Sequence, residues 1–162
     1  MSRPRWYNDH DLLAAVARQL YRQRRDTNRA LLEAGELDAA TGAAGLRVMR
    51  AIAAEWRALA AIEPEPDGLR DGSGHGAWAF ERVAALDAAS IVARTAADAT
   101  PGDFEIVGFA DAVDTLRWWE TAQPSARFLV DTTIAMRAAA TAPRAPADAA
   151  FQQSPFTFGV AA

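Results

Sequence analysis

Two stretches in the first sixty residues carry apolar side chains at steps of three and four, and only a few residues separate them. Asn8 and Asp9 can cap a helix, Asp11 puts a carboxylate in its first turn, and Leu13, Val16, Leu20, Thr27, Leu31 and Ala34 form one stripe. At 100° per residue those six positions fall within about 60° of one another, and Gly35 follows as a C-terminal stop. After Glu36-Leu37, Asp38 caps a second helix, whose stripe is Leu46, Met49, Ile52, Ala53, Trp56, Leu59 and Ala60. Two amphipathic helices on so short a link must double back as an antiparallel hairpin.

Beyond the hairpin, EPEPDGLRDGSGHG (63–76) reads as a Gly/Pro linker. GAWAFERVAALDAASIVARTAADA predicts a third helix with Val83, Leu86, Ser90, Ala93 and Ala97 on one face. Thr100-Pro101-Gly102-Asp103 resembles a capped start. FEIVGF (104–109) is compatible with a strand, yet that start and the FADAVDTLRWWE after it favour a helix. Pro124-Ser125 opens a last helix through Met136, and Pro and Ala dominate from Thr141 on. The expected fold is all-α: a hairpin over 1–62, a linker over 63–76, an acidic helical region over 77–140 with about three helices, and an extended tail over 141–162.

The core for such a fold is thin. Alanine supplies 40 of the 162 residues, whereas Leu, Ile, Val and Phe together supply 32. Alanine favours closely packed helices but brings little apolar area to offset ordering entropy. Five Trp and seven Phe must therefore carry much of the core, or a partner must help. The chain has no Cys, which excludes disulfides and thiolate metal sites, and MSRPRWYNDHD contains no apolar leader segment. With no bilayer-length apolar run, a soluble protein of the bacterial cytoplasm, free or virion-associated, is expected, with no membrane contact.

All seventeen cationic side chains are arginine, and their placement is uneven. Arg18, Arg22, Arg25 and Arg29 lie within about 60° of one another, opposite the first apolar stripe. Arg47, Arg50 and Arg57 lie opposite Met49, Ala53 and Trp56 on the second helix. Residues 1–62 carry ten Arg against seven acids (net +3), while 63–162 carry seven against fourteen (net −7). Three readings of the stripe stand: a solvated face filled with Arg, an acidic protein surface that includes another copy of this chain, or a polyanion such as nucleic acid. The total charge of −4 works against nucleic acid, and no nucleic-acid-binding motif is legible.

Arg24-Arg25, Ala34-Gly35-Glu36-Leu37 and Val48-Met49-Arg50-Ala51-Ile52-Ala53-Ala54-Glu55-Trp56 carry a further pattern. They resemble a small hairpin module of phage and prophage proteins of unknown function, in which paired arginines precede an A-G-[RE]-[LI] turn and a V-M-x-A-I-A-x-[DE]-[YW] helix. The resemblance covers about 40 residues and implies a phage or prophage setting; it names no chemistry.

Active-site patterns are weak. Capping accounts for Asp9-His10-Asp11 without a metal, and Gly72-Ser73-Gly74-His75-Gly76 lacks the lysine and hydroxyl of a phosphate loop. Glu105, Asp111, Asp114 and Glu120 read as a solvated carboxylate face, although Asp111, Asp114 and His75 would be the groups of an enzymatic site if they converged. Trp118 and Trp119 point about 100° apart, so their helix is either sandwiched in the core or docks a partner. Phe156 and Phe158 alternate with small or polar residues in the tail, which could add as a strand to a partner's sheet edge, fold back over the chain's own helices or stay disordered. The sequence-level expectation is a non-enzymatic phage-type interaction protein, without cofactor or metal, that binds an acidic partner or itself. A nucleic-acid-binding packaging or regulatory factor is the first alternative, and an enzyme with an unrecognised carboxylate site is the second.

Overall fold

Each helix start in the first half is set by a carboxylate. Asp9 Oδ1 accepts from Leu12 N at 3.0 Å and begins α1 (His10–Glu33), and Asp38 Oδ1 accepts from Thr41 N at 2.9 Å and begins α2 (Ala39–Ala61). α1 ends where Gly35 turns to φ 72°, with Gly35 N bonded to Leu32 O and Glu36 N to Leu31 O. That bond pair closes the helix end and needs a left-handed residue, which glycine supplies without strain. α2 ends through the same pair of bonds, from Ile62 and Glu63 to Leu59 and Ala58, yet there the left-handed residue is Ile62 at φ 55°. A β-branched residue in that region is strained, and its half-buried side chain holds it against the core.

The computed structural model describes residues 3–72, 74–122 and 126–141. Three more helices follow the hairpin: α3 (Ala79–Ala99), α4 (Phe104–Ala122) and α5 (Ala126–Thr141). FEIVGF is helical, and Asp103 Oδ1 accepts from Glu105 N and Ile106 N at its start. The last helix runs to Thr141, beyond the Met136 expected from sequence, and Pro124-Ser125 lies outside the described residues. Among the described residues there is no strand, and no helix is long and apolar enough to cross a membrane.

α1 and α2 are antiparallel. Asn28, near the end of α1, donates through Nδ2 to Gly42 O at 2.7 Å, while His10 at the start of α1 lines one cleft with Leu59 and Ile62. The seam holds Leu13, Val16, Ala17 and Leu20 against Met49, Ile52, Trp56 and Leu59. Toward the turn it departs from the expected stripe. Thr27 and Ala34 are exposed, and Asn28 is buried in their place because its amide finds a buried acceptor in the Gly42 carbonyl at the start of α2. α2 is also buried well beyond one stripe, with Val48, Ala51, Glu55 and Ala58 enclosed, because α1, α3 and α5 all pack on it.

α3 and α4 form a second antiparallel pair, which lies on the first through α4 against α1 and α3 against α2. Alanines fill most of its seam around Leu86, Val113 and Leu116. Polar rungs stitch it along its length: Arg82 to Glu120, Arg117 to Asp87, Ser90 to Asp114 and Arg94 to Asp111. The expected Gly/Pro linker connects the two hairpins and is packed onto them; Leu69 is 2% exposed and accepts from Ala77 N at 2.8 Å.

Replacing Asn28 with Ala removes a buried hydrogen bond while the Gly42 carbonyl keeps its helical partner, so it should cost about 0.5–1.5 kcal/mol in denaturant unfolding. Replacing the exposed Thr27 with Ala should cost less than about 0.5 kcal/mol.

Candidate functional site

The arginines divide into two populations. Between residues 63 and 122 each described guanidinium is taken up by the protein's own carboxylates. Arg82 is fully buried on α3, and it meets Glu55 of α2 and Glu120 of α4, with its Nε 3.1 Å from Glu120 Oε1. Arg70, from the loop after α2, closes on the other Glu55 oxygen and reaches Glu65 at 3.1 Å. Arg94 bridges Asp111 and Asp114 at 2.7 and 2.6 Å, and Arg117 pairs with Asp87.

The electrostatics of the buried cluster are finely balanced. Burial pushes the Glu55 carboxyl above its ordinary pKa, and Arg82 and Arg70 offset this only in part. Burial likewise opposes the charge on Arg82, but hydrogen bonding to Glu120 and the attraction of Glu55 and Glu120 outweigh it, so its pKa ends above the usual value. Arg82 Nη1 remains buried without a partner among the described residues. The cluster joins three helices and a loop, which gives it a structural role.

Sequence reasoning missed this cluster, although a signal for it existed. Glu55 sits between Ile52 and Leu59 on the apolar face of α2, Arg82 is one turn before Leu86, and Glu120 is one turn after Leu116. Each is a charged residue on an extension of an apolar stripe. Asp111, Asp114 and Glu120, expected on a solvated face, instead form seam rungs because α3 sets arginines opposite them. His75 stays in the loop, with Nε2 3.0 Å from Asp67 O, and does not cluster with Asp111 and Asp114. Among the described residues no group of three or more His, Asp or Glu could hold a metal ion.

The hairpin holds the other population. Arg18, Arg22, Arg24, Arg50 and Arg57 form no ion pair among the described residues. Three of them converge. A groove of about 370 Å³ lies between α1 and α2, lined by residues of those two helices alone: Ala14, Ala15, Ala53 and Ala54 floor it, and Arg18, Arg50 and Arg57 rim it with Tyr21. The helices carry no side chain beyond Cβ at those four floor positions, which leaves the hollow open. Asp11 stands at the groove as its one carboxylate.

Two expectations for the stripe need correction. Arg47 is not on the outer face. It turns inward to hydrogen-bond the Gly72 and Gly76 carbonyls and to pair with Glu81, and Glu81's carboxyl falls below its ordinary pKa through that bond and one from Trp78 N. The row along α1 is also interrupted, because Asp26 accepts from both Arg25 and Arg29 at 3.1 and 3.3 Å.

Trp118 and Trp119 are half-buried and stack edge to face with centroids 5.0 Å apart. Trp119 donates through Nε1 to Tyr7 O at 3.2 Å, which ties the segment before α1 onto α4, and it meets the edge of His10. Burial lowers the pKa of that imidazole, against the pull of Asp11 and Asp9. Phe156 and Phe158 lie outside the described residues.

No family model, curated protein or solved structure matches the chain. The reading of the site therefore rests on its own geometry.

Removing one partner of the buried cluster leaves its counterions uncompensated, so Arg82→Ala should destabilise by about 3–5 kcal/mol in urea or guanidinium unfolding. A pH effect follows from Glu55. Its folded pKa is raised, so just above the ordinary carboxylate range the folded chain binds a proton that the unfolded chain has released. Stability from this group is fully present at low pH and is lost as pH rises through the raised pKa. Unfolding curves across that window should show the slope in the wild type and its disappearance in Glu55→Gln.

Proposed function

We propose that this chain is a non-enzymatic binding protein whose α1–α2 face takes an acidic surface of a partner protein, another copy of the chain included. The observation that carries this reading is the sorting of the arginines. The described arginines between residues 63 and 122 are neutralised internally, whereas Arg18, Arg50 and Arg57 meet unpaired on one groove. A guanidinium rim over an alanine floor suits a carboxylate-bearing side chain with some apolar body. Phosphate makes no use of such a floor. The net charge of −4 and the sharing of Asp26 between Arg25 and Arg29 also disfavour a nucleic-acid track.

The half-buried tryptophans and the internally committed carboxylates of α4 support a scaffold role for the second half. The hairpin's resemblance to phage and prophage modules is the reason to look for the partner in that setting, in the host cytoplasm or an assembling particle.

The test is a binding titration of the full chain with a labelled oligo-glutamate peptide. Each exposed charge pair contributes about 0.2–1 kcal/mol, so Arg18→Gln, Arg50→Gln and Arg57→Gln together should weaken binding by about 3- to 150-fold. The melting temperature should stay essentially unchanged, because none of the three holds an internal partner. Equal binding by the triple variant would refute the reading. Tighter binding to a DNA duplex, with affinity falling about 0.9 log unit per phosphate contact for each tenfold rise in salt, would favour the nucleic-acid alternative.

A further inference from the structure

The corner between α3 and α4 is the counterpart of the arginine groove. Phe104 is 87% exposed there, the highest value among the exposed large hydrophobic residues of the described structure. Asp103 and Glu105 flank it, and Asp98 lies in the last turn of α3 just before it. All three carboxylates are exposed, and none has an ion pair among the described residues. Asp103 accepts only from the backbone N–H groups of Glu105 and Ile106. Phe80, also exposed, lacks this setting, because the adjacent Glu81 is committed to Arg47.

Resting on the reading of the groove given above, we infer that its occupant is the α3–α4 corner of a second copy of this chain. The Phe104 ring seats on the floor of Ala14, Ala53 and Ala54, while Asp98, Asp103 and Glu105 meet Arg18, Arg50 and Arg57. Three features of the molecule support the match. The groove carries three unpaired cations and the corner three unpaired anions. The groove's volume, about 370 Å³, is enough to admit an aromatic side chain and lies near the lower limit for pockets that hold small ligands. The chain's charge is also divided in the required sense, +3 before residue 63 and −7 after it. Asp11 orients the arrangement, since its carboxylate repels the incoming acids and leaves the arginine rim as their place of contact.

The two patches differ, so the contact either closes reciprocally into a two-fold pair or continues head to tail into longer species. In both cases each copy contributes one groove and one corner. Exposed charges hold the contact, so it weakens as salt rises from about 0.01 M to about 1 M and the screening length falls from about 30 Å to about 3 Å.

Sedimentation velocity on the full chain tests this. The wild type should associate at low salt and dissociate at high salt. Arg50→Glu/Arg57→Glu should be monomeric, and so should Asp98→Arg/Glu105→Arg, which spares the capping Asp103. Mixing those two variants should restore association with equal shares of each, because the reversed groove of one meets the reversed corner of the other and the native corner of the first meets the native groove of the second. Phe104→Ser and Ala54→Leu should each weaken association at least about tenfold without altering any charge. Circular dichroism should report unchanged helix content in every variant. A wild type that stays monomeric at all salt concentrations would overturn the inference, as would a mixture that fails to pair. If the wild type is monomeric but its groove still binds oligo-glutamate, the self-contact is wrong and the acidic-partner reading stands. If Arg50→Glu/Arg57→Glu still binds that peptide like the wild type, both fall together.

Discussion

The buried contact of Arg82 with Glu55 and Glu120 is the constraint on which the rest of the structure depends. These three charged groups come from three helices, and Arg70 adds a fourth element from the intervening loop. Removing such charges from water is costly, and a buried ion pair often stabilises less than well-packed apolar groups would. Its value here is one of placement. The alanine-rich seams of α3 and α4 have few large side chains that could fix their register against the first hairpin. A guanidinium that must satisfy carboxylates from two directions admits few alternative arrangements.

That constraint also explains the distribution of charge over the surface. Carboxylates of the second half are drawn into the seams: Glu120 to Arg82, Asp111 and Asp114 to Arg94, and Asp87 to Arg117. Arg82, Arg94 and Arg117 are consumed with them. The hairpin has no such internal sink. Its seam is built from Leu, Val, Ile, Met and Trp, so Arg18, Arg50 and Arg57 are left outside around a shallow floor of methyl groups. The lopsided net charge of the sequence becomes, in three dimensions, a division between arginines that build the protein and arginines free to meet something else.

Much of this was legible before any coordinates. The caps at Asp9 and Asp38, the glycine stop at Gly35, the doubled-back hairpin and the helical character of FEIVGF follow from local chemistry, and the structure has them. What could not be read locally depends on neighbours distant in sequence. Asn28 replaces Thr27 in the seam because Gly42, fourteen residues on, offers a carbonyl. Arg47 leaves the outer face because the loop of Gly72 and Gly76 passes beside it. Asp111 and Asp114 read as a solvated face because nothing in their own helix reveals the arginine on the facing one. The groove was only half legible: its arginines were singled out from sequence, but that Arg18 on α1 meets Arg50 and Arg57 on α2 depends on how the hairpin closes.

The most direct test of this division is the arginine Nε–Hε nuclear magnetic resonance spectrum of the full chain, recorded with and without an acidic peptide. The account predicts a slowly exchanging, unperturbed Arg82 signal, with shifts confined to Arg18, Arg50 and Arg57 as peptide is added. An Arg82 proton that exchanges like a free guanidinium, or shifts spread evenly over all the arginines, would contradict it.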